Sequence, residues 1–587
     1  MPRSSSKTRK RKFQGNQFSD RHRKMSKKNE SDEGTQRRLS ASSRKIDLSK
    51  PSLPKDKDSK HSKTASNING YRFVSMEILA EAFQQTCCAE CGSSGIMLSE
   101  ITFKRKGCSS YLRLLCTKCG WKHCFYTSKK IQKYFEVNRR LVYGLRTVGQ
   151  GASSAKRLCG IMDMPPPPKP NAYDRHNKAL LKATKTVATN VMAEAGREIH
   201  GLKPVQEDGI AHCGVSCDGT WQRRGYSSLN GCVTTISMDT GRCIDVEVLT
   251  KVCHTCQRHE PEKNNNAEHV WQAEHARKCK ANYTGSAPAM ETAGVTRIFS
   301  RSEEVNNLRY TEYFGDGDSK GFEEVKDTYK EEGVDVVKKE CIGHVQKRVG
   351  SALRKLKKTK KGMGGRGNLT DFMIDKLQNY YGIAIRSNIG NLKGMKKGIY
   401  ASLFHCSSSK KRNLHDHCPD GPESWCRYKK DVANKTKLYK PGPGLPDHII
   451  AELKPIYERL SNDELLKRCL DGKTQNQNES LNGMIWDRLP KGVFVGSDVL
   501  HVGVYDAVSH FNIGCKSALN VLTNMGMNPG VFCTAEMKSA DNLRVQKGEY
   551  KENAKNKKKR KILRARRKQK GDKAQDKEGL TYEAGSF

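Results

Sequence analysis

Acid is scarce in this sequence. Across 587 residues, 63 Asp and Glu stand against 107 Lys and Arg, a formal net charge of +44. An excess of that size points to a polyanionic partner. Long hydrophobic runs are missing as well. The most apolar C-terminal stretch, Val493 to Val508, is broken by Asp498, His501 and Asp506. With no transmembrane run and no lipidation motif, a membrane partner is excluded and nucleic acid becomes the expected polyanion. The chain starts polar and basic, without an apolar h-region, so no secretory signal is expected. Aromatic residues make up only 7%, and they form no aromatic-rich RNA-binding motif.

Cysteine is what the chain has in quantity, at 22. In a large chain without a secretory signal, recurring C-x-x-C pairs favour zinc over disulfides. Cys88-Ala89-Glu90-Cys91-Gly92 is answered by Cys116-Thr117-Lys118-Cys119-Gly120. Two such units are the spacing of facing zinc knuckles, and the glycine after each second cysteine permits the tight turn. Leu112, Leu114 and Leu115 between them read as strand, so residues 70–160 are expected to hold a zinc-ribbon-like module. Lys104, Arg105, Lys106, Lys118 and Lys122 suit it to docking DNA, with a purely structural zinc module as the alternative. A second C-x-x-C, Cys253 and Cys256, is followed by His275 and Cys279 at helical spacing, four zinc ligands in all. A further group contains His405, His415, His417, Cys418 and Cys426; its spacing is irregular and selects no ligands.

The remaining organisation follows from composition. Residues 1–65 carry 20 Lys and Arg against 7 acids and almost no aromatics, too little apolar surface to fold alone. They read as a disordered basic tail, with Arg9-Lys10-Arg11-Lys12 available for nuclear import or phosphate contact. Residues 161–204 read as a stiff Pro165–Pro168 linker followed by a helix, with apolar positions at Leu180, Ala183, Val187, Val191 and Ala195. Residues 205–530 form the main body, and 531–587 a basic C-terminal tail. Residues 551–570 alone have 12 Lys and Arg against one acid. Lys557 to Lys561 with Arg564, Arg566, Arg567 and Lys568 reads as a nuclear-localisation signal or a nucleic-acid arm, so the nucleus is the expected location.

In the main body, Ile210 to Asp218 reads as a strand ending at its acid. Ser228 to Met238 and Arg242 to Thr250 complete an antiparallel meander across the turn Asp239-Thr240-Gly241. Leu308 to Phe314 is a further strand running into Gly315-Asp316-Gly317-Asp318. Helices are expected over Asp371 to Arg386, capped by Thr370, then over Pro446 to Leu460 and Asp463 to Leu470. Another begins near Glu479 and runs to about Asp487. An acid on the first meander strand, an acid after a later strand and a glutamate on a C-terminal helix define a ribonuclease H-like arrangement. Three converging carboxylates suit hard divalent ions in two-metal chemistry on nucleic acid. Strand alternation sends Asp316 and Asp318 to the same face; Asp316, the first acid after the strand, is favoured, with Asp318 as the other candidate.

Three blocks carry a more specific resemblance. They are Ser216-Cys217-Asp218-Gly219-Thr220-Trp221-Gln222-Arg223-Arg224-Gly225, Gly315 to Ser319, and Thr474-Gln475-Asn476-Gln477-Asn478-Glu479-Ser480-Leu481-Asn482 with Trp486 and Pro490-Lys491. Together they resemble a Mutator-like transposase domain over roughly residues 70–530, and Tyr582 to Phe587 has the same flavour. The resemblance implies an α/β, ribonuclease H-like core with a D, D, E triad of Asp218, Asp316 and Glu479, dependent on Mg²⁺ or Mn²⁺. It implies a helical insertion before the glutamate, for which about 160 residues after Asp318 leave room. It also implies double-stranded DNA partners, transposon terminal repeats and target DNA, and a homo-oligomer. Cys341-Ile342-Gly343-His344 resembles the C-x-x-H element carried at this place. On a helix, Cys341 and His344 share a face and would meet one ion or one packed site. A domesticated, non-catalytic DNA-binding descendant is the alternative. An RNA-binding or ribosome-associated protein would explain charge and cysteines, but not the ordered acids.

Overall fold

The computed structural model describes residues 40–46 and 69–563, apart from 224–226, 260–264, 316–319, 366, 437, 554, 558 and 561. Asp316, Asp318, Arg224-Gly225, nearly all of the N-terminal tail with Arg9 to Lys12, Lys558, Lys561, Arg564 to Lys568 and Tyr582 to Phe587 therefore lie outside the described residues. Contacts divide the chain into two units. One is Ala41–Gly548, which holds all the elements that follow except the last residues of the final helix; the other is Met1–Ser40 with Glu549–Phe587.

The first elements are a short helix α1 (Ala41–Lys45) and α2 (Met76–Gln84), whose first turn is capped by the Ser75 hydroxyl. Strands β1 (Ile96–Glu100), β2 (Tyr111–Cys116) and β3 (Lys122–Tyr126) form an antiparallel sheet in that order. Its core is small: Cys88, Ile96 and Cys116, with Phe83, Leu114 and Trp121 packed on them. A minimal hairpin, β4 (Lys130–Ile131) and β5 (Tyr134–Phe135), leads into α3 (Glu136–Thr147) and α4 (Ala152–Ile161). The 31-residue α5 (Pro170–His200) follows, with Pro170 in its first turn, where a missing N–H costs nothing. Leu180, Ala183, Val187, Val191 and Ala195 all lie on its buried face, as their spacing predicts.

Three antiparallel strands come next: β6 (Ala211–Trp221), β7 (Asn230–Ser237) and β8 (Cys243–Thr250). Helices α6 (His254–Arg258), α7 (Asn265–Ala276), α8 (Ala289–Ser300) and α9 (Ser302–Asn306) precede β9 (Leu308–Gly315). β9 lies parallel to β6 on the side away from β7, with Val215 opposite Tyr313 and Ser216 opposite Phe314. After α10 (Lys320–Val325), β10 (Val337–Glu340) adds a second parallel edge. The sheet order is β10-β9-β6-β7-β8. Every residue of β7 is buried, because helices cover both faces of the sheet and no polar alternation is needed.

α8 packs on one face, against Val215, Cys217 and Val233. The opposite face meets two later helices, introduced below. In sequence, a helical domain separates β10 from those helices: α11 (Ile342–Thr359), α12 (Asp371–Arg386), α13 (Leu392–Ser407), α14 (Arg427–Asn434), α15 (Asp447–Leu460) and α16 (Asp463–Lys467). It has its own apolar core, including Val345, Leu353, Leu377, Tyr381, Ile399 and Leu453. The Thr370 hydroxyl accepts the Met373 N–H at 3.2 Å, the expected cap. The chain then returns to the sheet through α17 (Asn476–Arg488) and α18 (Ser497–Ile513), whose Leu481, Ile485, Leu500 and Val504 pack on Cys232, Ile236 and Val246. It ends with α19 (Ser517–Asn524) and α20 (Val531–Glu552). Residues 531–552, assigned to the C-terminal tail by composition, are thus helical.

Candidate active site and metal clusters

β6 does not stop at Asp218; it continues to Trp221, still paired with β7 through Trp221 opposite Gly231. The acid thus sits within a central strand. Alternation turns Cys217 and Gly219 towards α8 and Asp218 towards α17. At Gly219 a Cβ would come to 3.0 Å from the Glu291 side chain on α8, so only glycine fits without displacement.

On the other side, α17 is fastened along β6 by polar side chains. Gln475 at its N-cap donates to the Cys217 carbonyl at 3.0 Å. Asn478 donates to the carbonyls of Ser216 at 3.0 Å and Thr234 at 3.2 Å. Asn482 Nδ2 donates to Asp218 Oδ2 at 2.7 Å, and Trp486 Nε1 to Thr220 Oγ1 at 2.8 Å. Steps of three, four and four residues put these groups on one helix face. Each buried bond contributes about 1 kcal/mol, and an orphaned partner costs about 1–3 kcal/mol. A slipped helix would orphan all of them, so the row sets the register of α17 against the strand.

Glu479 lies three residues before Asn482, close to one helical turn, so the two are neighbours on the helix surface. It is exposed and pairs with Lys347 of α11 at 3.6 Å. The structure therefore brings Asp218 and the Glu479 helix together. Asp316 and Asp318 follow Gly315, the last residue of β9, directly in sequence. Phe314 of that strand stands opposite Ser216, and its carbonyl also accepts from Gln475 at 3.4 Å. Lys473 lies over the Phe314 ring at 5.3 Å and Lys491 over the Trp486 ring at 5.2 Å, adding cations at both ends of α17.

Cys341 caps α11, and its thiol accepts the Gln475 N–H at 3.3 Å. Among the described residues, Cys341 and His344 belong to no group of three or more converging metal ligands. Cys341 instead ties the start of the helical domain to the start of α17.

Two predicted zinc clusters do converge. Cys88, Cys91, Cys116 and Cys119 bring their sulfurs together, with Cys88 to Cys119 at 3.6 Å and Cys91 to Cys116 at 3.7 Å. Hydrogen bonds from the Ser93 side chain and backbone hold the Cys91 thiol down at about 6. Cys253, Cys256, His275 and Cys279 form the second group, with His275 Nε2 at 3.4 Å from Cys253 and 3.0 Å from Cys256, and Cys256 at 3.6 Å from Cys279. His275 is in α7, but Cys279 lies beyond its end, so a turn and not helical spacing presents that thiol. Burial pushes Cys253 up, yet the N–H groups of Lys280, Cys256 and Thr255 outweigh it and bring the thiol down to about 5. The Trp271 ring stacks on His275 at 4.7 Å and on His259 at 3.4 Å, fixing the imidazole plane. Tetrahedral zinc, at about 2.3 Å from sulfur and about 2.0 Å from nitrogen, sets ligand atoms roughly 3.3–3.8 Å apart. Both donor sets fit that ion, apart from one slightly short S to N approach.

The family model for a Mutator-like transposase matches residues 70–426, more than half of the chain. The chain belongs to the Mutator-like transposase family. No curated protein matches it. The match takes in Asp218, both zinc clusters and the C-x-x-H pair, and it ends before Glu479. A transposase-family function and DNA binding follow from membership. Among the described residues, no helix of this transposase-family protein is long and apolar enough to cross a membrane.

Sequence reasoning missed the parts played by Gln475, Asn478 and Asn482. Their 3-4 spacing was the available signal. It was hidden because the buried face at this end of α17 is polar, and a search for apolar stripes passes over it.

Proposed function

We propose that the protein is a DNA transposase of the D, D, E type. It would cut transposon ends and join them to target DNA in the nucleus, acting as a homo-oligomer. The observation that carries this reading is the hydrogen bond from Asn482 to Asp218, which seats the Glu479 helix on the Asp218 strand. The sheet order supports it. An antiparallel meander, whose first strand has two further parallel strands on its other side, is the order 3-2-1-4-5 of a ribonuclease H-like core.

Asp218, Asp316 and Glu479 would hold Mg²⁺ or Mn²⁺, with Asp318 the other candidate for the second position. Their carboxylate oxygens suit a hard cation, and the amide that fixes Asp218 keeps that carboxylate oriented for it. Ions held there would supply activation of a water or a DNA 3′-hydroxyl and stabilisation of the leaving oxygen. The protein's own groups do the rest. The polar row of α17 holds the Glu479 helix in register with Asp218, and Lys347, Lys473 and Lys491 offer charge to phosphates on either side. The basic surface binds DNA with strong salt dependence. The two zinc clusters hold their loops in one conformation, and the N-terminal module is the part proposed to read the terminal repeats.

Metal-dependent cleavage and strand transfer on terminal-repeat DNA test this reading. Activity in the natural protein, lost by at least about 10³-fold in Asp218→Ala and Glu479→Ala, is the expected result. Unchanged activity in those variants sinks the triad. Sequence-selective DNA binding with no cleavage by the natural protein would instead favour a domesticated, non-catalytic descendant.

A further inference from the structure

The helical domain contains a group of ligands that spacing did not resolve. His405 stands in the last turn of α13, Cys426 caps α14, and His415 and Cys418 lie in the intervening loop. Their donor atoms converge. His405 Nδ1 is 3.2 Å from His415 Nδ1, and Cys418 Sγ is 3.7 Å and 3.8 Å from those two nitrogens. Cys426 Sγ is 3.4 Å from His415 Nδ1. A tetrahedral zinc with two sulfur and two nitrogen ligands requires edges of about 3.3 Å between nitrogens and about 3.6 Å between sulfur and nitrogen. The observed distances match those edges within about 0.2 Å. His417, in the same stretch, is exposed and stacks on Phe404 at 5.2 Å, outside the group.

A second observation concerns the far side of a ligand. His415 Nε2 lies 3.0 Å from the Tyr439 hydroxyl. Donating there fixes the tautomer and leaves the Nδ1 lone pair facing the cluster, the outer support that metal-bound histidines usually have. The ring is held flat against Tyr428 at 4.6 Å, and Trp425 lies edge-on to His405 at 5.0 Å. His415, Cys418 and Cys426 are buried, at 1%, 2% and 0% exposure. Packing alone gives no reason to gather two imidazoles and two thiols, all through ligating atoms, at one buried point.

We propose that His405, His415, Cys418 and Cys426 bind a third, structural zinc ion. Binding displaces the two thiol protons and leaves both imidazoles neutral. The ion joins the end of α13 to the start of α14 and orders the loop between them, which has no strand and no apolar core of its own. Lys410, Lys411, Arg427 and Lys430 are exposed on this segment, so the metal makes a basic surface a fixed part of the helical domain.

Zinc content of the purified full-length protein, measured by mass spectrometry of the metal, tests the proposal. Three zinc ions per chain are expected in the natural protein, two in Cys418→Ser/Cys426→Ser and in His415→Ala. Cys533→Ser, outside every cluster, should keep three. His415→Cys retains four ligands and should also keep three. Should the ligand-removing variants fail to fold, the natural protein and His415→Cys still decide. Two ions in the natural protein, a Cys418–Cys426 disulfide in it, or an unchanged count in folded ligand-removing variants would each overturn the third site. Hydrogen exchange supplies a reading on the natural protein alone. Peptides covering 408–426 should exchange at least about 10-fold faster once the third equivalent is chelated; exchange unaltered by its removal would also overturn it.

Discussion

Asn482 matters more than its chemistry suggests. Its amide links the Asp218 carboxylate directly to α17. Asn482→Ala removes that hydrogen bond, at a cost of about 1–3 kcal/mol. Cleavage should fall by about 10- to 100-fold with a modest drop in melting temperature. Asn482→Asp is expected to be worse, because it sets a carboxylate against a carboxylate and raises the pKa of one of them. Steady-state cleavage assays with parallel thermal melts check both, and Asn482→Asp recovering natural activity would contradict the assignment. Gly294 is a second residue with a decided role. A Cβ there would come to 2.4 Å from Val233 Cγ2, so α8 approaches the sheet at a distance only glycine allows. Gly294→Ala should cost about 1–3 kcal/mol, read as a lower urea midpoint.

At the scale of elements, local signals in the sequence were sufficient for some boundaries and not for others. The α12 helix spans Asp371–Arg386 as expected because its start is set by one hydroxyl, Thr370, and its stripe by its own periodicity. The two C-x-x-C clusters were legible for the same reason, since each knuckle is formed by residues adjacent in sequence. β6 was not, because its end depends on β7, which carries the pairing on to Trp221. The group at 405–426 was unreadable for a related reason: a helix end, a loop and a helix cap assemble it, and no fixed spacing describes that. The facing of α17 depended on strand carbonyls far away in sequence. The zinc-ribbon element also carries a prediction. Its core is too small to support β1–β3 alone, so with zinc on the four cysteines its folding would be tied to the metal. Cys88→Ser, or chelation, should unfold residues 76–126 while the central sheet persists. Hydrogen exchange by peptide would show this, and continued protection of β2 without zinc would contradict it.

For the whole molecule, charge and buried histidines govern the response to solution conditions. Burial, aided by Arg488 and Arg544, holds His510 down at about 3; burial and Arg139 hold His176 at about 4. An unfolded histidine takes its proton near 6.5. Between about 6.5 and those folded values the unfolded chain binds more protons than the folded one, so stability falls as the pH falls through that window. Urea midpoints measured from pH 7.5 to 5 should decline, and the decline should be shallower in His510→Gln. An identical slope in that variant would rule out His510 as a source.

The proposed transposase chemistry needs one divalent-metal site built from three distant blocks of the chain. Fe²⁺ loaded in place of Mg²⁺, with ascorbate and peroxide, cuts the backbone next to the bound ion. Fragments ending near residues 218, 316 and 479 together, suppressed by excess Mg²⁺ and absent in Asp218→Ala, are the predicted result. Cuts at only one of the three blocks, or the same pattern in Asp218→Ala, would contradict it.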